Sequence, residues 1–99
     1  MIRHICMFKL KEENKENNIA EFLERAESLK ALKEIKRFEA VRNSKDTPAS
    51  NYDVSLIFDF ETVDNLNGYQ TADVHVKFAD FVASVKTERA CIDYEFWYH

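Results

Sequence analysis

The chain has 99 residues, a length typical of one domain, with 45% hydrophobic and 32% charged residues. Its net charge of −4 disfavours nucleic acid as a partner, because that binding depends on basic surfaces. No apolar run is long enough for a membrane span, and Arg3, Lys9 and Lys11 interrupt the opening stretch where a signal peptide would be apolar. We therefore expect a single cytoplasmic domain over residues 1–99 that does not enter a membrane.

The first predicted element is a β-strand over residues 2–10, where side chains alternate between two faces. One face is apolar except for His4, and its members are Ile2, His4, Cys6, Phe8 and Leu10. The other face has Ile5 and Met7 at its middle, which is not typical of a fully solvated surface.

From Ile19 the apolar residues recur at helical spacing, which predicts an amphipathic helix ending near Glu34. Residues 35–43 alternate only loosely and carry four charges, so they predict a strand at the edge of a sheet. Residues 44–51 contain the only proline and are interpreted as an exposed loop.

Residues 52–60 alternate regularly and have large apolar side chains on one face, which predicts a central strand. Thr62 is a favourable N-cap for a short helix that runs through Tyr69. A second helix has an apolar stripe from Val74 to Val85, and residues 89–98 form the last predicted strand.

Strand, helix, strand, strand, helix, strand is the order of the split βαβ, or ferredoxin-like, arrangement in the α+β class. Both helical regions should cover one face of a four-stranded antiparallel sheet. On the opposite face we expect an apolar patch made of Ile5, Met7, Phe38, Ala40, Ile57, Cys91 and Trp97. A patch of this extent usually marks an interface, so we expect a homodimer through the sheet face with a barrel-like centre.

The two cysteines, Cys6 and Cys91, lack a CxxC motif and metal-ligand spacing. In a cytoplasmic chain they are interpreted as small buried hydrophobic residues, and no metal is expected. The predicted faces also separate them: Cys6 lies on the helix-covered face and Cys91, with Asp93, Glu95 and Trp97, on the other. The prediction is that they cannot form a disulfide.

Three blocks in order resemble the stress-responsive dimeric α/β-barrel (Dabb) family. They are MIRHICMFKLK, YDVSLIFDFETVDNLNGYQTADVHVKF and CIDYEF, and together they span nearly the whole chain. The resemblance implies a ferredoxin-like protomer, a homodimer through the sheets and a small-molecule pocket between sheet and helices. Most members of the family have no assigned activity.

One branch of that family is a plant polyketide cyclase that catalyses an intramolecular aldol condensation. It uses a histidine on the first strand, a tyrosine and a histidine on the later helix, which correspond here to His4, Tyr69 and His75. The usual His-Pro of the family signature is replaced by Ala72-Asp73, which removes one polar group from the pocket mouth. Asp73 could instead cap the second helix.

Each of these three residues also has a structural interpretation. His4 could be a core histidine satisfied by a hydrogen bond, and Tyr69 could simply bury its ring. His75 could pack at helical spacing, although an imidazole near neutral pH is also well suited to proton abstraction. The phenylalanines expected in the core could line an apolar pocket as well, and these are Phe8, Phe22, Phe58, Phe78 and Phe81.

Two functions of different classes follow. The first is a non-catalytic dimer that binds a small apolar ligand or protects under stress. The second is a cofactor-independent cyclase or lyase, in which a histidine removes a proton next to a carbonyl of a polyketide-like compound and Tyr69 stabilises the enolate. A cofactor-free monooxygenase on the same dimeric fold is a further alternative. None of the three requires a cofactor.

Overall fold

The computed structural model describes residues 1–97, so the predicted position of Tyr98 lies outside the described residues. The elements are β1 (Ile2–Leu10), α1 (Lys15–Ala26), a 3₁₀ helix (Glu27–Ala31), β2 (Arg37–Arg42), β3 (Val54–Phe60), α2 (Val63–Thr71), α3 (Asp73–Val85) and β4 (Lys86–Glu95). This order confirms the predicted ferredoxin-like α+β fold. Within residues 1–97 no helix combines the length and the apolar character that a membrane span needs.

The four strands form one antiparallel sheet in the order β2-β3-β1-β4. The two most regularly alternating strands, β1 and β3, occupy its centre, and the charged β2 lies at an edge. Four of the seven residues of β3 sit in the core under the helices, and these are Val54, Leu56, Phe58 and Phe60. The centre of the sheet is therefore covered on one face by a closed apolar core.

The helix boundaries follow local capping. Thr62 accepts a hydrogen bond from the Asn65 N–H at 3.1 Å, so it caps α2 as predicted. The first helix stops being α-helical at Ala26 and continues only as a 3₁₀ turn, earlier than the predicted end. Ala72 has an extended backbone and is the N-cap of α3, so Asp73 lies in the first turn instead of capping it.

The prediction that the two cysteines cannot pair is wrong. Cys6 and Cys91 lie directly opposite each other in the β1–β4 ladder and form a disulfide. Residues directly opposite in a ladder share a face, so Cys91 lies on the same face as Cys6. The predicted face assignment of the last strand was therefore inverted, because its more apolar set was placed under the helices.

The apolar set of β4 instead contributes to the outer face of the sheet, where Ile92 is 59% and Tyr94 38% exposed. Ile92 is opposite Ile5, which is opposite Ile57, so three isoleucines form a row across three strands. The row and its neighbours are named here the outer patch, which consists of Ile5, Met7, Val41, Ile57, Ile92 and Tyr94.

Other expected members of this patch lie elsewhere. Phe38 is opposite Phe58 and Ala40 is opposite Leu56, which places both on the helix-covered face against the core. The rings of Phe38 and Phe58 stack with centroids 5.0 Å apart. Trp97 follows the end of β4 and is 86% exposed.

Candidate functional site

A cavity of about 190 Å³ lies between the sheet and helices α2 and α3, on the β1–β4 side. The three predicted catalytic residues, His4, Tyr69 and His75, all line it. Pockets for drug-sized ligands measure roughly 300–1,000 Å³, so this cavity suits a more compact molecule.

The aromatic rings of the three residues form one cluster. Tyr69 lies between the two histidines, with its ring centroid 6.0 Å from that of His4 and 4.5 Å from that of His75. Both contacts are edge-to-face. The fold therefore brings a residue of β1, one of α2 and one of α3 to the same cavity.

His4 is held in place by a carboxylate. The residue is 3% exposed, and its Nδ1 lies 2.5 Å from Oδ1 of Asp93 on the neighbouring strand. When a neutral imidazole donates its Nδ1–H to this carboxylate, Nε2 is left as an acceptor. That nitrogen lies 3.3 Å from the sulfur of Cys6, which also lines the cavity.

His75 has an unused nitrogen. Its Nδ1 is buried and has no hydrogen-bond partner among residues 1–97. Burial lowers the pKa of His75, against the opposing effect of a hydrogen bond with the Gln70 backbone. The imidazole is therefore neutral at pH 7, and a neutral imidazole with a free nitrogen is a competent proton acceptor.

Tyr69 has the complementary property. The residue is 2% exposed, and burial raises the pKa of its phenol well above the ordinary value. It remains protonated at physiological pH and can donate a hydrogen bond. Edge-to-face and tilted contacts with Phe58 and Phe60 fix the orientation of its ring.

Only two of the five phenylalanines expected at the pocket line this cavity, Phe8 and Phe78. Phe22 and Phe58 have no exposed surface and belong to the core. Phe81 packs against the edge of the core, and the Arg25 guanidinium lies 4.5 Å from its ring centroid.

Sequence reasoning missed three charged residues of β4, of which Lys86 and Arg89 line the cavity. The Nη2 of Arg89 is 3.6 Å from the Cys6 sulfur, while Asp93 holds His4. Arg89 and Asp93 lie on the same face of β4 as Cys91. The signal that could have found them was the alternation of Arg89, Cys91 and Asp93, once that face is placed toward the helices.

His4, Cys6 and Cys91 bring their ligand atoms within 4.8 Å of one another, a spacing that could hold a metal ion. However, thiolates are the metal-binding form of cysteine, and here both sulfurs are joined in the disulfide. In this state the group does not fit a metal centre.

Comparison with known proteins agrees with this fold. A family model described as Stress responsive A/B Barrel Domain (Dabb) matches residues 2–96. A dimeric protein of unknown function with a ferredoxin-like fold from Bacteroides fragilis is 32% identical, with a TM-score of 0.85 over 96% of this chain and 95% of its own. A Dabb family protein from Mesorhizobium loti is 26% identical, with a TM-score of 0.80 over 97% and 96%.

A more distant structure shares the fold alone. The hydroxynitrile lyase from Passiflora edulis is 14% identical, with a TM-score of 0.79 over 94% of this chain and 90% of its own. No protein with a curated functional description matches the chain significantly.

Proposed function

The chain belongs to the Stress responsive A/B Barrel Domain family, and we propose that it is a homodimer that binds one compact, mainly apolar carbonyl compound in each protomer. The observation that carries this proposal is the convergence of His4, Tyr69 and His75 on one cavity. Apolar side chains make up much of the remaining wall, a composition typical of small-molecule sites.

The ligand class follows from the polar groups. Tyr69 is a donor in an otherwise apolar environment, and a carbonyl oxygen is the acceptor that matches it. His75 offers an unpartnered acceptor nitrogen nearby, which matches an acidic C–H or hydroxyl group of the ligand. A compact ketone or aldehyde with a polar group next to the carbonyl satisfies both.

The outer patch is the proposed dimer interface. It is a row of aliphatic side chains across the sheet, partly exposed in the protomer, and contiguous apolar patches on small domains usually mark interfaces. The related protein from Bacteroides fragilis is described as dimeric, which supports the same assembly here. The cavity lies on the opposite face of the sheet, so such a dimer leaves its entrance free.

A second candidate function is cofactor-independent proton transfer, and the unpartnered Nδ1 of His75 favours it. In this reaction the His75 nitrogen takes a proton from the carbon next to the carbonyl. The electron pair moves to the oxygen, and the Tyr69 hydroxyl stabilises the enolate by donating a hydrogen bond. The enolate can then add to a carbonyl, as in a cyclase, or expel a leaving group, as in a lyase. A cofactor-free monooxygenase would instead pass electrons from the enolate to molecular oxygen.

The test is binding of a panel of compact ketones and aldehydes, measured by calorimetry on the wild-type protein, Tyr69→Phe and Val76→Ala. Tyr69→Phe removes only the hydroxyl, and we expect about tenfold weaker binding, the equivalent of one hydrogen bond. Val76 is 47% exposed on α3 next to His75, so its truncation should leave binding unchanged. Binding that is equally weakened by both substitutions, or absent for every compound, would contradict the proposal.

Catalysis is tested separately by hydrogen–deuterium exchange of the bound ligand at the carbon next to its carbonyl. We expect the protein to accelerate the exchange and His75→Asn to abolish the acceleration while the ligand still binds. An unchanged rate in His75→Asn would leave a binding protein without this chemistry.

A further inference from the structure

The disulfide between Cys6 and Cys91 is part of the cavity wall and has no role in the function proposed above. It joins β1 to β4 through two cysteines that are 85 residues apart in the chain. Its two sulfurs belong to very different environments. Cys6 is 2% exposed and lines the cavity, whereas Cys91 is exposed on the edge strand.

The surroundings of Cys6 suit a thiolate. Arg89 places Nη2 of its guanidinium 3.6 Å from the sulfur. A guanidinium at this distance stabilises negative charge on sulfur, as cationic neighbours do for reactive cysteines. A cysteine in such a place is a good leaving group, because the rate of disulfide exchange rises as the pKa of the departing thiol falls.

The exposure of Cys91 indicates that its sulfur is the one that is attacked. An external thiolate must approach along the axis of the disulfide, and Cys91 is the partner that lies at the surface. It also lies on the helix-covered face of the sheet, away from the outer patch, so the proposed dimer does not cover it. The sulfur of the exposed residue and the stabilised leaving group are thus on opposite ends of one bond.

We propose that this disulfide is an exchange site for small thiols, with Cys91 as the sulfur that is attacked and Cys6 as the leaving group. The incoming thiolate forms a bond to the Cys91 sulfur, and the bond between Cys91 and Cys6 breaks. Its electron pair passes to Cys6, which becomes a thiolate beside Arg89. A second thiolate can then attack the external sulfur of the mixed disulfide, which releases Cys91 as a thiolate and an external disulfide as the product.

The competing interpretation is a purely structural disulfide. A cross-link between the first and last strands restricts the unfolded chain and stabilises the fold whether or not it can exchange. Such a bond would react only when the protein unfolds, and Arg89 would have no influence on its rate. The two interpretations therefore predict different sites of attack and different rates.

The experiment uses the folded wild-type protein with glutathione as the small thiol. Samples are quenched with iodoacetamide at intervals, and peptide mass spectrometry locates both the glutathione adduct and the alkylated thiol. We expect the adduct on Cys91 and the alkyl group on Cys6 under conditions in which circular dichroism shows the native fold. Adducts on Cys6, or a reaction confined to denaturing conditions, would overturn the proposal.

Two variants measure the role of the guanidinium. Arg89→Gln should slow the exchange by about three- to tenfold, because the leaving thiolate loses its cationic neighbour. Glu88→Gln, on the adjacent exposed position of the same strand, is the matched control and should leave the rate within twofold of the wild type. Equal rates in wild type and Arg89→Gln would overturn the assignment of Cys6 as the stabilised leaving group. This readout involves no ligand, so its failure is distinguishable from failure of the ligand-binding proposal.

Discussion

The two halves of the helix-covered face of the sheet differ in composition and in packing. On the β3 side, the inward side chains from Val54 to Phe60 are buried in a closed apolar core. On the β1–β4 side the inward positions include His4, Cys6, Arg89 and Asp93, and a cavity lies above them. The candidate site has thus formed where the edge strand β4, much of which is exposed, adjoins the covered centre.

The position of the site, where β4 adjoins the covered centre of the sheet, explains how charged side chains can reach a buried cavity. Asp93 has a side chain that is 46% exposed, and yet its carboxylate contacts the nearly buried ring of His4. Each charge remains partly solvated, so the large penalty of burying an isolated ion does not apply. A site on the β3 side would have required charges without access to water.

Shortening a buried side chain on the β3 side, where the closed core lies, should have the largest effect on stability. Phe58 has no exposed surface, and Phe58→Ala should lower the free energy of unfolding by about 3–5 kcal/mol through lost burial and the resulting void. Urea denaturation provides the measurement. The matched control is Phe81→Ala, at a half-buried position, which should lower it by less than about half as much. Equal losses would mean that Phe58 is packed no more tightly than this half-buried position.

A charge placed on the outer face of β4 tests whether that face forms the dimer interface. Ile92→Asp places a carboxylate in the middle of the outer patch, and we expect the dimer dissociation constant to rise at least about a hundredfold, or roughly 2.7 kcal/mol. Sedimentation equilibrium measures this. Val76→Asp, at an exposed apolar position on α3, should leave the dimer intact. A dimer that survives Ile92→Asp would exclude this face as the interface.

The contact between Asp93 and His4 should contribute less to the free energy of unfolding. Asp93→Ala leaves the Nδ1–H of a buried imidazole without its acceptor, which costs about 1 kcal/mol because water can reach this partly exposed position. Thermal or urea unfolding at pH 7 shows the difference from Asp80→Ala, an exposed aspartate on α3. If both variants unfold alike, the carboxylate does not hold His4 in solution.

The sequence predicted the regular half of the molecule well. The clean alternation of residues 52–60 predicted a central strand, the Thr62 cap is confirmed, and three motif blocks pointed to the family that the comparisons show. In these segments the local pattern and the tertiary environment agree, because one face is wholly apolar and can only be buried.

The last strand shows where this reasoning fails. Alternation shows which residues share a face, but it does not show which face meets the helices. In β4 the apolar set belongs to the outer patch, and the set containing Arg89, Cys91 and Asp93 faces the cavity. The disulfide and the partner of His4 depend on this choice, so neither could be predicted. Alternation likewise cannot separate core from cavity wall, and Phe22 and Phe78 look the same in the sequence.

The smallest expected effect is a dependence of stability on pH, caused by His75 on the cavity side of the sheet. Because burial lowers the pKa of His75, the unfolded chain binds a proton there at a higher pH than the folded protein does. The resulting stability is fully present above the unfolded pKa of about 6.5 and is lost as the pH falls through the lower folded value. Urea midpoints of the wild-type protein should therefore decline on acidification through this range.

His75→Asn removes this proton from both states and serves as the reference, since every other titrating group is kept. The difference between wild type and His75→Asn should be constant above about pH 7.5 and should shift against the wild type as the pH falls below about 6.5. On the core side, Phe58→Leu should give a curve parallel to the wild type, because no titrating group is changed. Parallel curves for wild type and His75→Asn would show that the imidazole is solvated in both states, and His75 would then lose its assignment as the neutral acceptor of the cavity.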